Sequence, residues 1–181
     1  MCGGGRLVQI RVKAGADAAF LALAREAVAA ARAEGGLLMV NDRPDVALLA
    51  EADGVHLGQD DLRPRDARSL LKAGSLIGLS THDAAQAEAA GAEPVDYVAV
   101  GPVFATSTKP DADPVIGLSG VRAARARTHL PLVAIGGITA ENAGSVIEAG
   151  ADGVAVVSAV MAEPDVAAAV RRLRAAIGDT G

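Results

Sequence analysis

The chain has 181 residues, 51% hydrophobic and 22% charged, a globular balance long enough for one substantial core. Its formal charge of −5 argues against a nucleic-acid or membrane-surface partner, so any anion site must be focused locally by a few cations. There is no Trp, so the core must be aliphatic, and the single cysteine, Cys2, allows no internal disulfide or cysteine metal cluster, which fits a reducing cytoplasm.

The opening MCGGGR lacks the apolar stretch of a secretory signal, and no run of 18 apolar residues follows that could span a membrane. LVQIRVK, from Leu7 to Lys13, alternates with a period of two. Val8, Ile10 and Val12 share one face, and Gln9, Arg11 and Lys13 the other. Either that polar face meets solvent on an edge strand, or it lies in a covered interior and needs an anionic partner. Asp17 to Glu34 has helical spacing, with Phe20, Leu21, Ala24 and Val28 on one face. Further strand-like runs follow: LLMVN from Leu37, GVHLG from Gly54, LIGLS from Leu76, YVAVGPV from Tyr97, LVAIGGI from Leu132 and GVAVVSAV from Gly153. Ala-rich helical stretches separate them, with helix-start signals at Thr139 and Pro164.

Repeated β-α units with near-continuous apolar strands mean a parallel sheet covered by helices. A doubly wound sheet and a (β/α)₈ barrel both satisfy that, but no GxGxxG follows the first strand. Seven units are one short of a barrel, and the chain is below the roughly 200 to 250 residues barrels usually need. Barrels commonly bind phosphate with the loops after strands 7 and 8, and the last two runs here, AIGGI and AVVSAV, suit that task. The expectation is one α/β domain over residues 1–181, a (β/α)₈ TIM barrel lacking its first strand and helix.

A barrel carries its site at the C-terminal ends of its strands. VNDRPD puts Asn41 and Asp42 at one such end, and HLGQDDL puts Asp60 and Asp61 at the next. Two hard carboxylates without a His or Cys companion suit Mg²⁺, which completes its shell with water and substrate phosphate. Alternatively, Asp42 starts a turn before Pro44 and Asp61 caps the following helix. Their placement on consecutive strands, near Arg11 and Lys13, favours the metal. GPVFATSTKPDADPVIGL is a long loop with three prolines, whose Thr106, Ser107, Thr108 and Lys109 could reach a phosphate; it reads as a lid or as a solvated loop. Gly136 and Gly137, with Ser158 on the next strand, offer backbone N–H groups as a phosphate cradle. His56 reads as an interior residue, His82 as a cap or a site neighbour, and His129 as surface. Two anionic ends are implied, one beside a metal and one a monophosphate, which suggests joining two phosphorylated small molecules with loss of a phosphate group.

These motifs resemble the thiamine phosphate synthase family in VQIRVK, VNDRPDVAL, ADGVHLGQDDL, IGLSTH, DYVAVGPVFATSTKPD, VAIGGITAEN and AGADGVAVVSAV, in order from Leu7 to Val160. The resemblance implies a TIM-barrel transferase that couples hydroxymethylpyrimidine diphosphate to thiazole phosphate, giving thiamine phosphate and pyrophosphate. By that resemblance Gln9, Arg11, Lys13, Asn41 and Lys109 would hold the diphosphate, with Ser80 near the pyrimidine and Mg²⁺ on Asp42 and Asp61. Thr106, Ser107, Thr108, Gly137, Val157 and Ser158 would hold the thiazole phosphate. The implied reaction is dissociative, with Arg11, Lys13, Lys109 and Ser80 as its catalytic groups and no protein nucleophile. A related thiazole tautomerase carries a catalytic His where this chain has Pro102, which favours the synthase. The family's extra first strand and helix are missing here, so a non-catalytic phosphate-binding remnant is a further alternative. A cytoplasmic enzyme without nucleic-acid or membrane partners is expected, and its Ala-rich helices are compatible with a homodimer.

Overall fold

β-branched and leucine-rich runs form seven parallel strands in the structure, a computed structural model that describes residues 2–106 and 113–179. They are β1 (Leu7–Ile10), β2 (Leu37–Asn41), β3 (Gly54–Leu57), β4 (Leu76–Thr81), β5 (Tyr97–Val100), β6 (Leu132–Ile135) and β7 (Gly153–Ala155). The α-helices are α1 (Asp17–Ala33), α2 (Pro44–Ala50), α3 (Pro64–Leu70), α4 (Ala84–Ala89), α5 (Gly117–Arg125), α6 (Ala140–Glu148), α7 (Ser158–Met161) and α8 (Val166–Ala176). Each strand is followed by a helix, and the strands run in chain order, which is the TIM-barrel arrangement in seven β/α units.

The chain forms two compact units. The first comprises Gly5–Leu79 with Glu93–Asp96. Here β1 pairs with β2, β2 with β3 and β3 with β4, all parallel. Leu38, Met39, Val40, Val55, Leu57 and Ile77 are fully buried, beneath Phe20, Ala24, Val28 and Ala31 of α1 and Val46, Ala47 and Ala50 of α2. The helix expected from Asp17 to Glu34 is present one residue shorter; Phe20, Ala24 and Val28 of the expected face are buried and Ala31 joins them, while Leu21 is only half-buried.

The second unit comprises Cys2–Gly4, Ser80–Ala92 and the chain from Tyr97 onward. There β5 pairs with β6 and β6 with β7. Val98, Val100, Leu132 and Ala134 are buried with Val121 of α5, Ala143 and Val146 of α6, and Leu173 of α8. Thr139 and Asn142 form a reciprocal capping box at the start of α6, as its sequence suggested. Pro164 precedes α8, whose cap is Asp165 accepting from the Ala168 N–H.

Four strands stop three or more residues short of the runs that suggested them, β5 at Val100 and β6 at Ile135 as well as β1 and β7. β1 stops at Ile10, whose register partner is Val40. One residue beyond that partner β2 ends and the chain turns at Asp42, so Arg11–Lys13 has no ladder to join. Val8, on the apolar face of β1, is 43% exposed on the outer strand of its unit. Likewise β7 stops at Ala155, the partner of Ile135, because β6 gives way to two left-handed glycines; Ser158 opens a short helix instead.

Candidate active site

In the first unit the loops after β1, β2 and β3 carry the polar residues. Asn41 is buried at the end of β2, and its Oδ1 accepts a hydrogen bond from Gln9 Nε2. Arg11 and Lys13 follow β1 on an exposed segment, so the structure brings Gln9 to Asn41 while the two cations face solvent.

Asp42 has φ 64°, in the left-handed region. Its N–H donates to the His56 carbonyl at 2.8 Å, and the next N–H, of Arg43, donates back to the Asn41 carbonyl at 2.8 Å. A hydrogen bond from residue i+2 to residue i around a positive-φ centre is a γ-turn of the strained kind, costing on the order of 1–3 kcal/mol. Pro44 opens α2 and holds Arg43 extended at φ −114°, ψ 82°. The Arg43 guanidinium forks onto Asp45, Nε to Oδ1 at 2.8 Å and Nη2 to Oδ2 at 2.6 Å, while Nη1 reaches Asp17 Oδ1 at 2.8 Å. That fork holds the Asp45 carboxyl below its usual range.

Asp61 does not cap α3, whose cap position is Arg63. Its Oδ2 instead accepts the Gly58 N–H at 2.7 Å, closing the turn after β3. Asn41 and His56 are register partners, so Asp42 and Asp61 stand at the ends of neighbouring strands. His56 is interior, as expected. Burial pushes its imidazole pKa down to about 4, against the opposing pull of the Asp61 carboxylate. The imidazole near Asp61 is therefore neutral at pH 7. Among the described residues no group of three or more His, Cys, Asp or Glu is arranged to hold a metal. Two carboxylate donors on adjacent strand ends fit Mg²⁺, which accepts one or two protein carboxylates and takes its other ligands from water and phosphate.

In the second unit Ser80 is half-buried near the end of β4, and Thr81 is buried, its hydroxyl donating to the Ala99 carbonyl at 3.0 Å. His82 Nδ1 donates to the Gly101 carbonyl at 2.8 Å and lies 3.3 Å from Asp113 Oδ2. After β5 the Val103 and Phe104 N–H groups donate to Ile135 and Gly136 at 2.8 and 3.0 Å, carrying the chain toward Thr106 alongside the β6 end. Gly136 and Gly137 have φ 92° and 65°, and a Cβ on Gly137 would lie 2.5 Å from the Ala105 oxygen. Only glycine meets both demands. Val157 and Ser158 sit just past β7 and are exposed. Thr106, Gly137, Val157 and Ser158 thus follow three neighbouring strands, β5, β6 and β7. Ser107, Thr108 and Lys109 lie outside the described residues.

Sequence reasoning missed Arg43 and the approach of Asp113 to His82. The signal for Arg43 was available, an arginine between Asp42 and Asp45 just before a helix-opening proline.

The profile of the thiamine monophosphate synthase family matches residues 1–160. The thiamine-phosphate synthase of Chloroflexus aurantiacus is 49% identical over 178 residues, covering 98% of this chain and 82% of that one. That of Methanoculleus marisnigri is 53% identical over 175 residues, with coverages of 95% and 82%. Among solved structures, a thiamine phosphate pyrophosphorylase from Pyrococcus furiosus is similar at a TM-score of 0.88 and 36% identity, over 99% of this chain and 86% of that one.

Proposed function

The chain belongs to the thiamine monophosphate synthase family, and from that premise we propose how its residues serve a transferase that joins two phosphorylated small molecules into thiamine phosphate. One substrate is 4-amino-2-methyl-5-hydroxymethylpyrimidine diphosphate. The other is 4-methyl-5-(2-hydroxyethyl)thiazole phosphate, and pyrophosphate leaves. The observation that carries the residue assignment is the pairing of Gln9 with Asn41 beside Asp42 and Asp61, at the ends of three adjacent strands.

Gln9 and Asn41 orient the diphosphate, while Arg11, Lys13 and Lys109 neutralise the charge that builds on it as the CH₂–O bond breaks. The bond's electron pair leaves with pyrophosphate, and the thiazole nitrogen supplies the pair for the new C–N bond, so no protein nucleophile takes part. Ser80 orients the pyrimidine. Thr106, Ser107 and Thr108, with backbone groups at Gly137, Val157 and Ser158, hold the thiazole phosphate. Asp42 and Asp61 would hold Mg²⁺, which when bound supplies positive charge against the diphosphate. The rate then comes from positioning and preorganised electrostatics. Charged, water-soluble substrates and a lone cysteine fit a cytoplasmic enzyme, and among the described residues no helix is long and apolar enough to cross a membrane.

Incubating the protein with both substrates and Mg²⁺ should yield thiamine phosphate and pyrophosphate in equal amounts. A folded sample that makes neither overturns the assignment.

A further inference from the structure

We propose that Arg43 is a positioning residue for the Asp42 carboxylate, holding the left-handed turn at Asp42 by clamping Asp45 on α2 and Asp17 on α1. This rests on the reading of Asp42 as a Mg²⁺ ligand. Asp42 sits at φ 64° with the Arg43 N–H turned back onto the Asn41 carbonyl, a backbone state uncommon outside glycine, which aspartate enters more readily than most residues and which its surroundings help to hold. If Asp42 relaxes to negative φ, the direction of its side chain from the end of β2 changes. The turn is held on one flank by the Asp42 N–H on His56. On the other flank the hold is Arg43, rigid in backbone because Pro44 follows it.

The guanidinium spends three donors on two carboxylates at 2.6 to 2.8 Å. A cation paired in this way is not the one that grips a diphosphate, a task left to Arg11 and Lys13. Its contacts have a mechanical meaning. Asp45 lies in the first turn of α2, two residues past Arg43, and Asp17 is the first residue of α1, four past Lys13. One planar fork therefore ties the segment bearing the free cations to the turn bearing the carboxylate. A lysine keeps the charge but cannot reach two carboxylates with fixed bidentate geometry.

The test measures the Mn²⁺ retained with the protein in equilibrium dialysis against a fixed concentration of Mn²⁺ and inorganic pyrophosphate. Parent, Arg43→Lys, Asp17→Asn and Asp42→Asn are compared on the full chain, with circular dichroism to establish folding. Groups that orient a metal ligand are typically worth about 10- to 100-fold in affinity. Arg43→Lys should weaken Mn²⁺ binding about tenfold and Asp17→Asn less, with the KM for thiazole phosphate unchanged. Should Arg43→Lys not fold, Asp17→Asn decides alone. Folded variants that bind Mn²⁺ within about twofold of the parent, while Asp42→Asn abolishes binding, overturn the positioning role only. If Asp42→Asn binds like the parent, the metal reading falls and the proposal falls with it.

Discussion

His56 shows how one side chain reports on its surroundings. Its imidazole is 6% exposed and its pKa is pushed from an ordinary value near 6.5 to about 4. The folded state therefore favours the neutral ring, and the unfolded chain takes up the proton first as pH falls. The stability this confers is complete above pH 6.5 and is lost as pH drops toward 4, by about 3 kcal/mol in total. Urea unfolding at stepped pH should show that slope, and His56→Gln should lack it; a parent whose stability is flat between pH 6.5 and 4 contradicts the burial argument. Asp61 raises the His56 pKa slightly, so Asp61→Asn should push the His56 midpoint lower still in a proton-NMR titration. Tyr97 gives an independent reading, because it is the only tyrosine and there is no Trp. Burial lifts its phenol to about 12, so phenolate absorbance should stay absent at pH 10.5 and rise only as the pH nears 12.

At the scale of elements, one device recurs. Asp53, Asp96 and Asp152 each stand just before β3, β5 and β7, and each carboxylate accepts the N–H of Leu38, Ile77 or Leu132 near the start of the preceding strand. These ties lie at the N-terminal strand ends, away from the polar residues, and belong to stability rather than chemistry. Asp96, part-exposed and also paired with Arg68 at 2.6 Å, is the simplest to probe. Asp96→Ala should cost about 1 kcal/mol in thermal or urea unfolding and leave both KM values unchanged; a changed KM would assign it to the site. The existence and order of strands and helices were legible in the sequence because periodicity reports burial. Strand ends were less so, since the alternation of QIRVK and the apolar run AVVSAV continue past the residue where the neighbouring strand turns away, and a ladder needs two partners. The polar residues at the candidate site's strand ends could also be placed from the sequence, as with Asn41 at the end of β2. The left-handed backbone of Asp42 was not legible, because aspartate, unlike glycine, does not announce it, and the reach of Arg43 to Asp17, 26 residues away, is a tertiary contact that local spacing does not show.

At the scale of the whole molecule, the charge of −5 opposes the approach of two polyanionic substrates, while in the proposed site Arg11 and Lys13, exposed past β1, would attract them at close range. The two effects have different reach. At about 10 mM salt the screening length is roughly 30 Å, so an incoming diphosphate feels the entire negative molecule; at about 150 mM it is roughly 8 Å and the distant carboxylates drop out. Contacts of a few ångströms survive that screening and weaken only at far higher salt. With free Mg²⁺ held fixed and saturating, kcat/KM for the pyrimidine diphosphate should therefore rise a few-fold between about 10 and 150 mM salt, then fall beyond about 0.5 M. Arg11→Gln with Lys13→Gln should lower the whole curve and flatten its high-salt fall, because the short-range attraction that salt erodes is already gone. A monotonic decline from the lowest salt would mean that the local cations outweigh the global field at every distance. Local focusing would then set the encounter as well as the grip.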